Sequence, residues 1–123
     1  MSTLLVLTGL LVTAVPQPAA NAVDAAYDDV RTGNNGAAIA RIEPISNRGD
    51  AHPAQLINLG VAYARQNDTV RARQMFRRAA ETDDGVLLET SGGAWVDSRR
   101  LALKALAALD RGVFGSEVRT AAR

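Results

Sequence analysis

The side chains that could do chemistry in this 123-residue sequence are His52, scattered serines, Glu43, Glu81 and Glu89, and an arginine cluster. His52 is the only histidine. It could serve as a general base or a ligand, but no nucleophile or second ligand is spaced to work with it. Its place directly before Pro53 suits the start of a helix. The serines lie in no nucleophile elbow, and no glycine-rich phosphate loop follows a strand. The three glutamates fall on different elements without a shared cleft, so no acid–base carboxylate pair is expected. With no cysteine at all, thiolate zinc sites, iron–sulfur clusters and disulfides are excluded. No catalytic, cofactor or metal site is therefore expected, and the chain reads as a non-enzyme.

The arginines are Arg71, Arg73, Arg77 and Arg78, with Arg99 and Arg100 farther on. An anionic partner is one reading of them. A solvated helix face, with Asp68 and Glu81 near by, is the other. A net charge of +1 gives no bulk attraction for polyanions. The one aromatic among the fourth helix's arginines, Phe76, belongs to its apolar stripe, so no nucleic-acid partner is expected.

These residues must be held by helices. Apolar residues make up 47% of the chain and aromatics only 4%, the balance of an alanine- and leucine-rich helical protein. Residues 1–22 stand apart, because they carry no charged side chain. Leu4 to Val15 is apolar except for two threonines and a glycine, Pro16 and Pro18 follow, and then Ala20-Asn21-Ala22. That order is a signal peptide's apolar region and small-x-small cleavage site. It is too short for a spanning helix, which needs about 20 apolar residues. The expectation is a signal peptide at 1–22, export (to the periplasm in a diderm bacterium), and no stable membrane span afterwards. A single domain is expected over 23–114, with a flexible tail at 115–123.

Within that domain the apolar residues fall at helical spacing. Val23, Ala26, Tyr27 and Val30 form one stripe, and Ala38, Ile39, Ile42 and Ile45 a second. Pro44 is expected to kink or end the second helix near Glu43. Leu56, Leu59, Gly60 and Tyr63 form a third stripe behind Pro53, and Ala72, Met75, Phe76 and Ala79 a fourth. Asp68 or Thr69 is the expected N-cap of that fourth helix. A fixed step relates the two pairs. Gly33 and Asn67, Ala38 and Ala72, Ile42 and Phe76, and Ala26 and Gly60 each stand 34 residues apart. Small residues at Gly60, Ala72 and Ala79 would let helix axes approach closely.

The stretch 56–82 resembles a tetratricopeptide repeat. Leu56, Leu59-Gly60, Tyr63, Ala72, Phe76 and Ala79 match that family's large residue, leucine-glycine, tyrosine, alanine, aromatic and alanine. The likeness covers 53–86, and with fewer matching positions 19–52; Asp84 stands where the family ends a repeat with proline. The resemblance implies an all-α, α-solenoid-like chain of helical hairpins, with repeats at 23–52 and 53–84. It also implies a concave groove that binds a protein or peptide. Carried onto this chain, the groove residues are Tyr27, Arg31, Ile57, Asn58, Val61, Ala64 and Arg65. Asn58 would bond a peptide backbone or else bond within the hairpin. The lysines of the family's carboxylate clamp are missing.

The 34-residue frame stops after residue 86. Two β-favouring runs around Ser91-Gly92-Gly93 suggest a short hairpin at 85–96, or alternatively an irregular apolar loop. A last helix at 97–111, capped by Asp97 or Ser98 and followed by Gly112, would cap the stack. The leading expectation is an interaction module. The alternatives are self-association through Ile39, Ile42 or the Trp95 region, making a possible homo-oligomer, and, remotely, a small enzyme of unknown type.

Overall fold

The computed structural model describes residues 26–90, 92–112 and 114, and these are mostly helical with one small antiparallel sheet. The expected signal peptide at 1–22 and the tail at 115–123 lie outside the described residues. Helical residues 26–31, labelled α1, lead into α2 (Asn35–Asn47). Then come α3 (Pro53–Arg65) and α4 (Thr69–Ala80). Strands β1 (Leu87–Glu89) and β2 (Trp95–Asp97) precede the last helix, α5 (Ser98–Asp110).

Local chemistry explains where the helices start. The Asp68 carboxylate accepts from the Arg71 amide at 3.2 Å, and Asp97 accepts from the Arg99 amide at 2.9 Å. Each satisfies one of the amides that a first helical turn leaves free. At α3 the cap is reciprocal. His52 Nδ1 accepts from the Ala54 amide at 3.2 Å, the Gln55 side chain accepts from the His52 amide at 2.9 Å, and Pro53 fills the first helical position.

Helix α2 does not end at its proline. Pro44 neither ends nor divides α2, which runs on to Asn47. Ala40, whose carbonyl loses its helical donor, and Pro44 itself both face solvent. Water can therefore satisfy that carbonyl, while Ile42 and Ser46 stay buried on the opposite face and hold the helix in place.

The turns repeat. Gly33 and Asn67 both take left-handed backbone, φ +80° and +61°. The next residues, Asn34 (φ −83°, ψ 65°) and Asp68 (φ −87°, ψ 72°), share one conformation. Their backbone bonds coincide as well. Gly33 donates to Val30 as Asn67 does to Ala64, and Asn34 donates to Asp29 as Asp68 does to Tyr63. A glycine or an asparagine fits here because only those residues enter this region at little steric cost. The turn also ends α2, where Gly49 has φ +79° and donates to Ser46 while Asp50 donates to Ile45, and part of it recurs after α5. Gly112 has φ +68° and donates to Leu109, and Arg111 donates to Ala107 as Gln66 does to Ala62. Gly112 stands 45 residues after Asn67, eleven more than the earlier step. At this wider step Leu101, Ala102 and Ala105 of α5 match Leu56, Ile57 and Gly60 of α3, and all six carry little or no exposed surface. The extra residues contain the hairpin.

In that hairpin Leu88 pairs with Val96, Leu87 with Asp97 and Glu89 with Trp95. Leu88 turns into the core, and the Ser98 amide extends the ladder to the Val86 carbonyl at 2.8 Å. The opposite face carries Leu87 and Trp95, which are 68% and 65% exposed.

α3 is the hub, packed against α2, α4 and α5. It is buried continuously from Ala54 to Ala64. The Phe76 ring from α4 lies on Gly60, where a Cβ would come within 2.5 Å of it.

Candidate functional site

Of the seven residues expected to line a groove, most are packed. Ile57, Asn58 and Val61 have no exposed surface, and Ala64 and Tyr27 have little. Asn58 is hydrogen-bonded or otherwise engaged, as is Tyr27. Arg31 is exposed and pairs with Asp28 at 3.6 Å. Arg65 is half-buried, and its Nη1 donates to the Val30 carbonyl at the end of α1. A guanidinium at the carbonyl end of a helix is favourably placed, and here it ties the first helical pair to the second. The seven therefore do not form a surface open to a partner in this conformation.

A second tie lies near by. The Tyr63 hydroxyl donates to the Glu43 carboxylate, joining α3 to α2. Burial, with the Glu43 bond and charge adding to it, raises the Tyr63 pKa far above its ordinary value. The Arg71 guanidinium sits 5.8 Å from the centre of the same ring. Glu43 thus serves as an acceptor between helices. His52 is likewise accounted for by its cap, and burial lowers its pKa.

The arginines of α4 separate into two kinds. Arg71 pairs with Asp68 at 3.1 Å and Arg73 with Asp110 at 2.6 Å. Arg77 and Arg78 have no carboxylate partner among the described residues. Both line an open groove of about 600 Å³ between the ends of α2 and α4. Ser46 and Asn47 form its α2 side, and Gln74 and Met75 continue its α4 side. Arg78 is held firmly there. Its Nη1 donates to Ser46 Oγ at 2.7 Å and its Nη2 to the Ser46 carbonyl at 3.3 Å, while Ser46 Oγ lies 3.4 Å from Met75 Sδ. Sequence reasoning marked these arginines only as part of a charged helix face. The contact with Ser46 spans 32 residues and has no local signal.

The self-association surface narrows too. Ile42 is buried and Ile39 packs on the core, so of the expected contacts Trp95 is the exposed one, beside Leu87 on the hairpin; Val70 and Leu103 are exposed elsewhere. Among the described residues, no cluster of three or more histidine, aspartate or glutamate side chains could hold a metal ion. No described helix is long and apolar enough to cross a membrane. No family model, curated protein or solved structure compared with the chain gives a significant match.

Proposed function

We propose that this protein is a non-catalytic module of tetratricopeptide-like helical hairpins that binds a protein or peptide outside the cytoplasm. The observation that carries the reading is the 34-residue step, at which Gly33 and Asn67 take the same turn and Ala38 and Ala72, like Ile42 and Phe76, are all buried. Repeated hairpins cannot bury their own faces, so they stack, and stacked arrays are used chiefly as binding surfaces. Export rests on the uncharged apolar run at 4–15. Sequencing the N-terminus of the native protein tests it, with a chain beginning at Val23 as the expected result.

A partner on the concave side would meet Arg31 and Arg65 first and would have to displace what packs on Ile57 and Val61. Photo-cross-linking from positions 31 and 65 in the native protein tests this. A discrete adduct from those positions, absent when the cross-linker is at Asp110, supports the reading. Adducts from Asp110 alone, or none at all, remove it. The second reading is self-association through the hairpin, favoured by the exposure of Leu87 and Trp95 on one face. Sedimentation decides this, because a chain that stays monomeric at high concentration excludes it.

A further inference from the structure

We propose that the groove between the ends of α2 and α4 is a recognition site for an acidic peptide, with Arg77 and Arg78 gripping a glutamate or aspartate side chain. This rests on the peptide-binding reading but uses a different surface from the concave face. Two arginines line one groove, and no described carboxylate lies within 4 Å of either guanidinium. Adjacent like charges repel, and an anion between them relieves that repulsion. The Arg78 fork is already ordered. With Ser46 Oγ and the Ser46 carbonyl holding Nη1 and Nη2, little side-chain freedom remains to be lost when a ligand binds. Part of its donor capacity is left over, since a guanidinium carries five N–H groups and these bonds use two or three. Arg77 is exposed and can swing to close the second side. A carboxylate matches such forks in shape as well as charge.

The remaining lining narrows the class of ligand. Met75 and the stems of the arginines offer apolar contact beside the charge, and Gln74 and Asn47 can bond a peptide backbone. No aromatic side chain lines the groove to stack a base, and the chain's net charge of +1 supplies no extended field for a nucleic acid. A short peptide that alternates acidic and apolar side chains fits these features. The favourable position of Arg78 at the carbonyl end of α2 explains why it is ordered. It does not explain Arg77, which makes no such contact among the described residues.

The test uses the full chain and a fluorescent octapeptide of alternating glutamate and leucine, capped at both ends so that only side-chain carboxylates are present. A twin with glutamine for glutamate is the control, and binding is read by anisotropy at low salt. The glutamate peptide is expected to bind about tenfold tighter than its twin, and Arg77→Gln to remove most of that difference. Arg77→Gln changes an exposed side chain, so an unchanged melting curve separates lost recognition from lost folding. Arg78→Lys, which keeps the charge but not the fork, is expected to weaken the glutamate peptide several-fold without affecting the twin. Equal binding of the two peptides, or full binding by Arg77→Gln, overturns the proposal. Equal binding still leaves a peptide-binding module. If neither peptide binds, the proposal falls, and the cross-linking from positions 31 and 65 judges the module separately.

Discussion

Replacing Gly60 by alanine tests the packing of the hub helix directly. A Cβ built there lies 2.5, 2.7 and 2.9 Å from Cε1, Cδ1 and Cζ of Phe76. Those distances are about 1 Å inside ordinary carbon–carbon contact. Phe76 has no exposed surface, so its ring has no room to swing aside. Alanine gains about 1 kcal/mol in helix propensity over glycine, whereas overpacking a close-packed site costs about 1–3 kcal/mol. Since three ring atoms clash at once, the cost belongs at the upper end, and the net loss is about 1–2 kcal/mol. For a domain of this size that lowers the melting temperature by roughly 5–15 °C.

Far-ultraviolet circular dichroism melts, supported by urea titration, measure the loss. Phe76→Leu on its own leaves a cavity and is also destabilising. Combined with Gly60→Ala, the new methyl enters that cavity, so the double variant is more stable than the sum of the two losses by about 1 kcal/mol. A Gly60→Ala chain as stable as the parent, or strictly additive losses, refutes the close approach of α3 and α4.

Three further outcomes are expected. His52 has its pKa lowered by burial, so the folded chain binds fewer protons than the unfolded one. Its contribution is complete above the unfolded value of 6.5 and is lost as pH falls through the lowered folded value. His52→Asn keeps an N-cap that does not titrate, and urea titrations across this range are expected to show the parent losing ground to it only on the acidic side. Pro44→Ala restores the amide donor for Ala40 on the solvent face and is expected to stabilise α2 by about 1 kcal/mol or more, seen as a higher melting temperature. Arg65→Met keeps the apolar stem but loses the bond to the Val30 carbonyl, for a cost of about 1–2 kcal/mol in urea titration. Arg31→Met, at the equivalent exposed place, changes stability by less than about 0.5 kcal/mol.

What could be read from the sequence was what is decided locally. Asp68, Asp97 and the His52-Pro53 pair mark helix starts because capping involves residues two or three apart. Leu88 and Val96 announced the hairpin by their β-favouring neighbours and the glycines between them. The failures share a different cause. That α2 continues past Pro44 was not legible, because the cost of the proline depends on whether Ala40 faces water, which a linear pattern does not reveal. The turn at Gly112 lies off the 34-residue step, since the inserted hairpin moves it by eleven residues. The site expectation placed Ile57, Asn58 and Val61 on an open groove by analogy of position. Their burial depends on tertiary packing, as does the grip of Ser46 on Arg78.

The order of packing has a kinetic consequence. Each described helix lies against helices near it in the chain, and the three residues between α3 and α4 close that hairpin with little loop entropy. No strand has to find a distant partner, because β1 and β2 are joined by a short connection. Chains with contacts this local fold on the order of microseconds to milliseconds. The pair α3–α4, with Phe76 seated on Gly60, is the natural first structure to form. Variants at that seat will then slow folding, whereas variants at the hairpin will chiefly hasten unfolding.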